Sequence, residues 1–233
     1  MLPELQLPTY EVTLPTTKKK VKYRPFVVKE EKILLLAIEE GKSDSIVRSM
    51  KQIVSACTFE KLDVDSMTAA DIEFLFVHIR NKSFGEGVEI QTECSKCKTK
   101  KILTLDMSKI NITKKTMEPE IELEKGKVWV IMKYPTMNAT YKLLDATDEV
   151  SAAEEYIASC IDKLIIGEST YDYTEVPLEK QIDFIGNLTH KHIELLQEFI
   201  SSAPKVYLED KFVCVNCGET NSILLEGLDS FFA

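Results

Sequence analysis

Four of the six cysteines in this 233-residue chain fall into two CxxC pairs, Cys94-Ser95-Lys96-Cys97 and Cys214-Val215-Asn216-Cys217. Thiolates at this spacing, held across a tight turn, can both bind one tetrahedral Zn²⁺ with Zn–S near ~2.3 Å. A single pair fits redox chemistry equally well. Here both pairs are entered and left by strand-like residues. Val88, Ile90 and Thr92 lead into the first, and Ile102, Leu103 and Leu105 lead out. Val206 and Leu208 approach the second, Gly218 follows it directly, and Ile223-Leu224-Leu225 leads away. The matched flanks point to one shared structural zinc on Cys94, Cys97, Cys214 and Cys217, tying the N-terminal half to the C-terminal half. Four protein ligands leave no open coordination position, so the metal is expected to be structural rather than catalytic. Unligated structural cysteines and a redox or disulfide use are the alternatives. Cys57 and Cys160 stand apart on apolar stripes and read as buried residues without a ligand role.

Charge and composition narrow the function. Lys and Arg number 29 against 38 Asp and Glu, for a net charge of −9. A chain this acidic gives few phosphate contacts, so nucleic acid is not the expected partner. Lys96, Lys98, Lys100 and Lys101 do make the first knuckle basic, and a zinc-ribbon nucleic-acid-binding regulator is the alternative function. Glu209, Asp210 and Glu219 make the second knuckle acidic, and mutual complementation of the two is the favoured reading. The longest apolar run, Ile33 to Ile38, is far short of the ~20 residues of a membrane span. The N-terminus has neither a basic n-region nor an apolar h-region, so a soluble intracellular protein is expected, with no membrane partner. His78, His190 and His192 assemble into nothing, and no His-Glu-x-x-His, Gly-x-Ser-x-Gly or Walker pattern is present. Gly85-Glu86-Gly87 lacks the strand and the Lys-Ser/Thr of a phosphate loop. Neither an enzyme nor a small-molecule substrate is expected.

Periodicity places the rest. Tyr10, Val12 and Leu14, then Val21 and Tyr23, alternate as a hairpin whose tip carries Lys18, Lys19 and Lys20. Helices are expected over Lys29–Glu40, ended by Gly41 and buried on several sides, and from an N-cap at Ser43 through Ile46, Val47, Met50, Ile53, Val54 and Cys57. Thr68 caps a third helix with Asp71 as capping-box partner, and the helix breaks over Asn81–Gly87. Strands are expected at Ile121–Leu123 and Val128–Tyr134 around a turn at Lys125-Gly126. Later helices are expected over Thr136–Asp145, from Ala152 through Cys160 and Ile161 to Ile165, over Leu178–Ile185 and over Thr189–Ser201. The chain thus divides into an N-terminal β-hairpin (1–28), an N-terminal helical part (29–87), a first knuckle with its β segment (88–135), a C-terminal helical part (136–204), and a second knuckle and tail (205–233). The fold class is α+β: a mainly helical body with an N-terminal β-hairpin and a split zinc ribbon, forming one unit tied by zinc. The two halves echo each other in element order, with unequal spacings.

Several segments resemble one family. Tyr23-Arg24-Pro25-Phe26-Val27-Val28-Lys29-Glu30-Glu31-Lys32 is similar to the start of a baseplate hub protein family of contractile-tailed, T-even-like phages. Glu73-Phe74-Leu75-Phe76-Val77-His78-Ile79-Arg80-Asn81-Lys82-Ser83, Phe212-Val213-Cys214-Val215-Asn216-Cys217-Gly218 and Leu225-Glu226-Gly227-Leu228 resemble the same family. The resemblance implies a non-enzymatic morphogenesis protein in assembly of the central tail hub. Its implied partners are other phage baseplate hub or hub-assembly proteins. Its implied location is the host cytoplasm during assembly. Relatives are regarded both as hub subunits of the virion tail baseplate and as assembly factors absent from the finished particle, and the sequence leaves both open. Phe231-Phe232 offers apolar material either for docking or for the chain's own core.

Overall fold

A computed structural model describes residues 6–113, 117–144 and 146–226 as a mixture of helices and small antiparallel sheets. The chain opens with a hairpin of β1 (Tyr10–Thr13) and β2 (Lys20–Tyr23), in which Val12 faces Val21 and Tyr10 faces Tyr23. Lys20 and Lys22 point to solvent, while Val21 and Tyr23 are buried. Three helices follow. The first, α1 (Val28–Glu40), ends at Gly41, whose φ of 66° is the left-handed conformation that a helix C-terminus favours. Next, α2 (Ser43–Cys57) buries Val47, Met50, Ile53, Val54 and Cys57. Each such apolar side chain contributes ~1.5–3 kcal/mol when fully buried. The third, α3 (Ala69–Phe84), lays Ile72, Leu75, Phe76 and Ile79 into the same core.

The second half builds its own core. A four-stranded antiparallel sheet runs β6 (Glu120–Glu124), β7 (Val128–Met132), β8 (Ile161–Ile166), β9 (Ser169–Asp172) in spatial order. Helices α5 (Glu149–Ser159), α6 (Leu178–Gly186) and α7 (His190–Ser201) supply Ile157, Ile185, Leu196 and Phe199 against Ile121, Val130, Met132 and Ile161 of the sheet. Between the halves, α4 (Met137–Leu144) contributes Met137 to the first core. Two long hairpins carry the cysteine pairs: β3 (Gly87–Glu93) with β4 (Lys100–Asp106), and β10 (Val206–Val213) with β11 (Thr220–Glu226). Short β5 (Asn111–Ile112) pairs with β10. A third, smaller core of Val77, Leu105, Met107 and Leu208 joins α3 to both hairpins. Among the described residues no helix is long and apolar enough to cross a membrane.

Several sequence expectations are corrected. The helix expected to continue through Ile161 to Ile165 stops at Ser159, and those residues form β8. Ile161, Leu164 and Ile165 satisfy helical spacing, but the segment is short, rich in β-branched Ile, and paired on both sides by β7 and β9. Gly167 therefore turns β8 into β9 rather than ending a helix. The run Ile33–Ile38 is not buried on several sides: Leu34 and Ala37 are buried, whereas Leu35 is 52% and Leu36 55% exposed. The helix expected to break over Asn81–Gly87 continues to Phe84 and ends at Gly85. Lys42, not Ser43, occupies the N-cap of α2. The Ser43 side chain, Asp145 and Phe231-Phe232 lie outside the described residues.

Thr68 caps α3 as expected, accepting from the Asp71 N–H at 3.2 Å. The Asp71 carboxylate, however, turns to the hairpin tip. It accepts from the Thr16 N–H at 2.8 Å, the Thr16 hydroxyl at 2.5 Å and the Thr17 hydroxyl at 3.2 Å. A fully buried carboxylate needs such donors, and the tip supplies them across 55 residues of chain.

Candidate metal centre

The two CxxC turns are built alike. In the first, the Cys94 N–H donates to Thr99 O at 3.0 Å and the Lys98 N–H to Cys94 O at 3.0 Å. In the second, the Cys214 N–H donates to Glu219 O at 2.8 Å and the Gly218 N–H to Cys214 O at 2.9 Å. Lys98 and Gly218 occupy the same place with φ of 57° and 71°. Glycine adopts this conformation freely and lysine at some cost, so the first turn lacks the glycine that marks the second.

The fold brings the turns together. Cys94, Cys97, Cys214 and Cys217 are all free, with their four sulfurs within 4.8 Å of one another. Cys94 Sγ lies 3.7 Å from Cys217 Sγ, and Cys97 Sγ 3.6 Å from Cys214 Sγ. Four sulfurs at ~2.3 Å from one tetrahedral ion would stand ~3.8 Å apart, so this arrangement is compatible with a metal site. The surrounding donors favour the thiolate at Cys94 and Cys97. Backbone N–H groups of Cys97 and Lys96 and the Asn221 amide hold the Cys94 thiol below its ordinary value despite burial. The Thr99 hydroxyl and N–H bring Cys97 down to about 5. For Cys217 the Glu219 N–H pulls down, but lost hydration and the crowded Cys97, Cys94 and Cys214 sulfurs outweigh it and push the thiol, the most exposed of the four, up to about 12. Four sulfurs this close cannot all ionise without a cation among them.

Asn221 is a residue that the cysteine spacing did not reveal. Its Oδ1 accepts from the Ser95 N–H and the Ser95 hydroxyl, each at 2.8 Å. Its Nδ2 donates to Cys94 Sγ at 3.6 Å and to Glu219 O at 3.1 Å. Further contacts cross between the hairpins. Asn216 Nδ2 donates to Thr99 Oγ1 at 3.3 Å, and Lys96 pairs with Glu219 at 3.3 Å. The Lys96 pair is the charge complementation expected between a basic and an acidic knuckle. Lys98 pairs within its own hairpin, with Glu93, and Lys101 lies over the Phe212 ring at 5.3 Å.

The other singled-out residues lie elsewhere. Cys57 ends α2 and Cys160 follows α5, both fully buried. His78 packs edge-on against Phe74 at 4.4 Å, and burial keeps its pKa below the ordinary value. His190 faces Glu194, and the His192 ring accepts from the Thr189 N–H at the start of α7. The histidines are thus not brought together.

Comparison with known proteins finds relatives over nearly the full length. The baseplate hub assembly protein gp26 of Enterobacteria phage T4 is 25% identical over 227 residues, covering 96% of this chain and 97% of that protein. No solved structure matches. The family described as T4 bacteriophage base plate protein matches residues 7–233. The match includes both cysteine hairpins and all three apolar cores, and the chain belongs to the T4 bacteriophage base plate protein family.

Proposed function

We propose that this chain takes part, without catalysis, in building the tail baseplate hub of a contractile-tailed phage. The observation that carries the reading is the end-to-end match with a baseplate hub assembly protein. Its partners are other hub or hub-assembly proteins, met in the host cytoplasm during assembly. Whether it then stays in the tail baseplate is decided by its presence in purified virions.

One structural Zn²⁺ on Cys94, Cys97, Cys214 and Cys217 completes the proposal. The sulfur spacing, the donors aimed at the sulfurs and the mutual repulsion of bare thiolates support it. Bound there, the ion neutralises thiolate charge and cross-links the two hairpins into a split zinc ribbon. The chain's own residues fix the geometry: Asn221 and the turn N–H groups orient the sulfurs, and Lys96 with Glu219 closes the outer side. The five segments then act as one unit. The nucleic-acid regulator draws less support, because Lys96 and Lys98 already face carboxylates.

Two measurements test these readings separately. Deleting the gene from its phage should stop hub formation, seen as tails without baseplates by electron microscopy. Normal tails from the deletion would overturn the assembly role. Elemental analysis of protein purified without added metal should give one zinc per chain. A zinc content near zero, with melting of Cys94→Ser and Cys217→Ser like that of the parent, would overturn the metal assignment.

A further inference from the structure

Among the described residues, the core that the helices make with the four-stranded sheet lies on one of its faces, and the sheet has a second. The register fixes two cross-strand rows on it. One runs Glu122, Trp129, Ile165, Thr170, and the other Glu120, Ile131, Lys163, Asp172. Alternation places these residues opposite the inward Ile121, Val130 and Leu164. The core that α5, α6 and α7 make with the sheet does not include Trp129, Ile131 or Ile165. All three are half-buried. A sheet with apolar residues on both faces ordinarily has a packed layer on each side.

We infer that this outer face receives one amphipathic helix of a partner protein, with Trp129, Ile131 and Ile165 under its apolar stripe and lysines or arginines along its flank over Glu120 and Glu122. Charge and width both select that occupant. Glu120 stands directly opposite Ile131 and Glu122 opposite Trp129, so two carboxylates border the apolar triangle. Among the described residues no ion pair reaches either, and Glu122 accepts only the Gly126 N–H in the adjoining turn, at 2.7 Å. On the far side Lys163 stands opposite Asp172, so no excess positive charge balances the glutamates. Strands ~4.8 Å apart put the two outer strands ~14 Å from each other, which accommodates one helix of ~10–12 Å diameter. Apolar residues at i, i+3, i+4 and i+7 of such a helix would cover the triangle. The inference deepens the baseplate reading by giving the chemistry of one partner surface. It is tested without phage, so its failure and that of the assembly role are distinguishable.

Trp129 is the only tryptophan of the chain, so its emission reports this face directly. The probe is an 18-residue synthetic helix of leucine and lysine in amphipathic order, without aromatic residues, titrated into the full-length protein. The control replaces each lysine by glutamate. The lysine helix should shift Trp129 emission to the blue and reduce iodide quenching at least about threefold, and the glutamate helix should do neither. The exposed pair Glu120→Gln and Glu122→Gln should weaken binding about tenfold or more at unchanged melting temperature. Ile165→Lys should abolish the shift, with folding checked by circular dichroism. No shift with the lysine helix, an equal response to the glutamate helix, or full binding by the glutamine variant overturns the inference. So does a free protein that sediments as a dimer with Trp129 already shielded, since the occupant is then a second copy.

Discussion

The Asn221 side-chain amide donates to Cys94 Sγ at 3.6 Å while its oxygen takes two hydrogen bonds from Ser95, so one buried side chain of the second hairpin clamps the first cysteine turn. Replacing it leaves the Ser95 N–H and the sulfur without these partners. Asn221→Ala should destabilise the protein by about 1–3 kcal/mol. Groups that orient metal ligands typically change metal affinity by ~10–100-fold when lost. Release of the proposed zinc to a chelator should therefore accelerate in the variant alongside a fall in melting temperature. Unchanged stability and release would remove Asn221 from the support of the site.

The Asp71 carboxylate holds the N-terminal hairpin on α3 through Thr16 and Thr17. Hydrogen bonds to a charged group contribute ~1.5–3 kcal/mol, and a buried donor left unmade costs more than one never present. Asp71→Ala should lower unfolding free energy in urea by about 2–3 kcal/mol, and Thr17→Val by less. Hydrogen exchange at Leu14, whose N–H donates to Lys19 O, should quicken selectively as the tip comes loose. Equal stability of Asp71→Ala and parent would mean that the hairpin is held by apolar packing alone.

The hairpins, the stripe on α2 and the four cysteines were legible because each signal is local: alternation, helical spacing and CxxC are read within a few residues. Cys94 and Cys217 meet across 123 residues, yet the matched turns announced the meeting. Asn221 was legible in principle. It shares the inward face of β11 with Ile223 and Leu225, and a polar residue in that register marks a buried hydrogen bond. Residues Ile161–Ile166 misread because three apolar positions fit both periods, and only the neighbouring strands decide between them. Leu35 and Leu36 misread because an apolar run states that burial is favourable, not that a partner element lies within the same chain.

Glu30 supplies a pH-dependent contribution to stability. Burial opposes its charge, but the hydrogen bond from Arg24 at 3.0 Å, the Val27 N–H at 2.8 Å and nearby Lys29 overcome it and hold the carboxyl below its ordinary value. A depressed folded pKa gives stability that is complete above the unfolded value, near ~4.3, and lost as pH falls through the folded value beneath it. Glu30→Ala leaves Arg24, whose side chain is only 15% exposed, without its carboxylate partner and should cost about 3–5 kcal/mol at pH 7. Urea unfolding from pH 7 to pH 3 should show a smaller acid loss in Glu30→Gln than in the parent. Parallel profiles for the two proteins would assign the acid limb to other carboxylates.

Cys57 and Cys160 should be chemically silent in the folded protein although they are free thiols. Burial pushes Cys57 up to about 12, against the pull of Arg24, whose Nη1 lies 3.7 Å from the sulfur. Burial likewise pushes Cys160 up to about 11, against Ser159 and Lys133. The thiolate is the reactive species, so at pH 8 its fraction falls ~10²–10³-fold below that of a free cysteine near 8.5. Exclusion of reagent from two fully buried sulfurs slows the reaction further. Iodoacetamide should therefore leave both unmodified under native conditions. In protein treated with a chelator to remove the proposed zinc, Cys97 and the other turn cysteines should label first. Cys57 and Cys160 should follow only at the rate of unfolding, with the sites resolved by peptide mass spectrometry. Labelling of Cys57 or Cys160 ahead of the turn cysteines would show that the helical cores open before the hairpins part, and would reverse the order of stability that the packing implies.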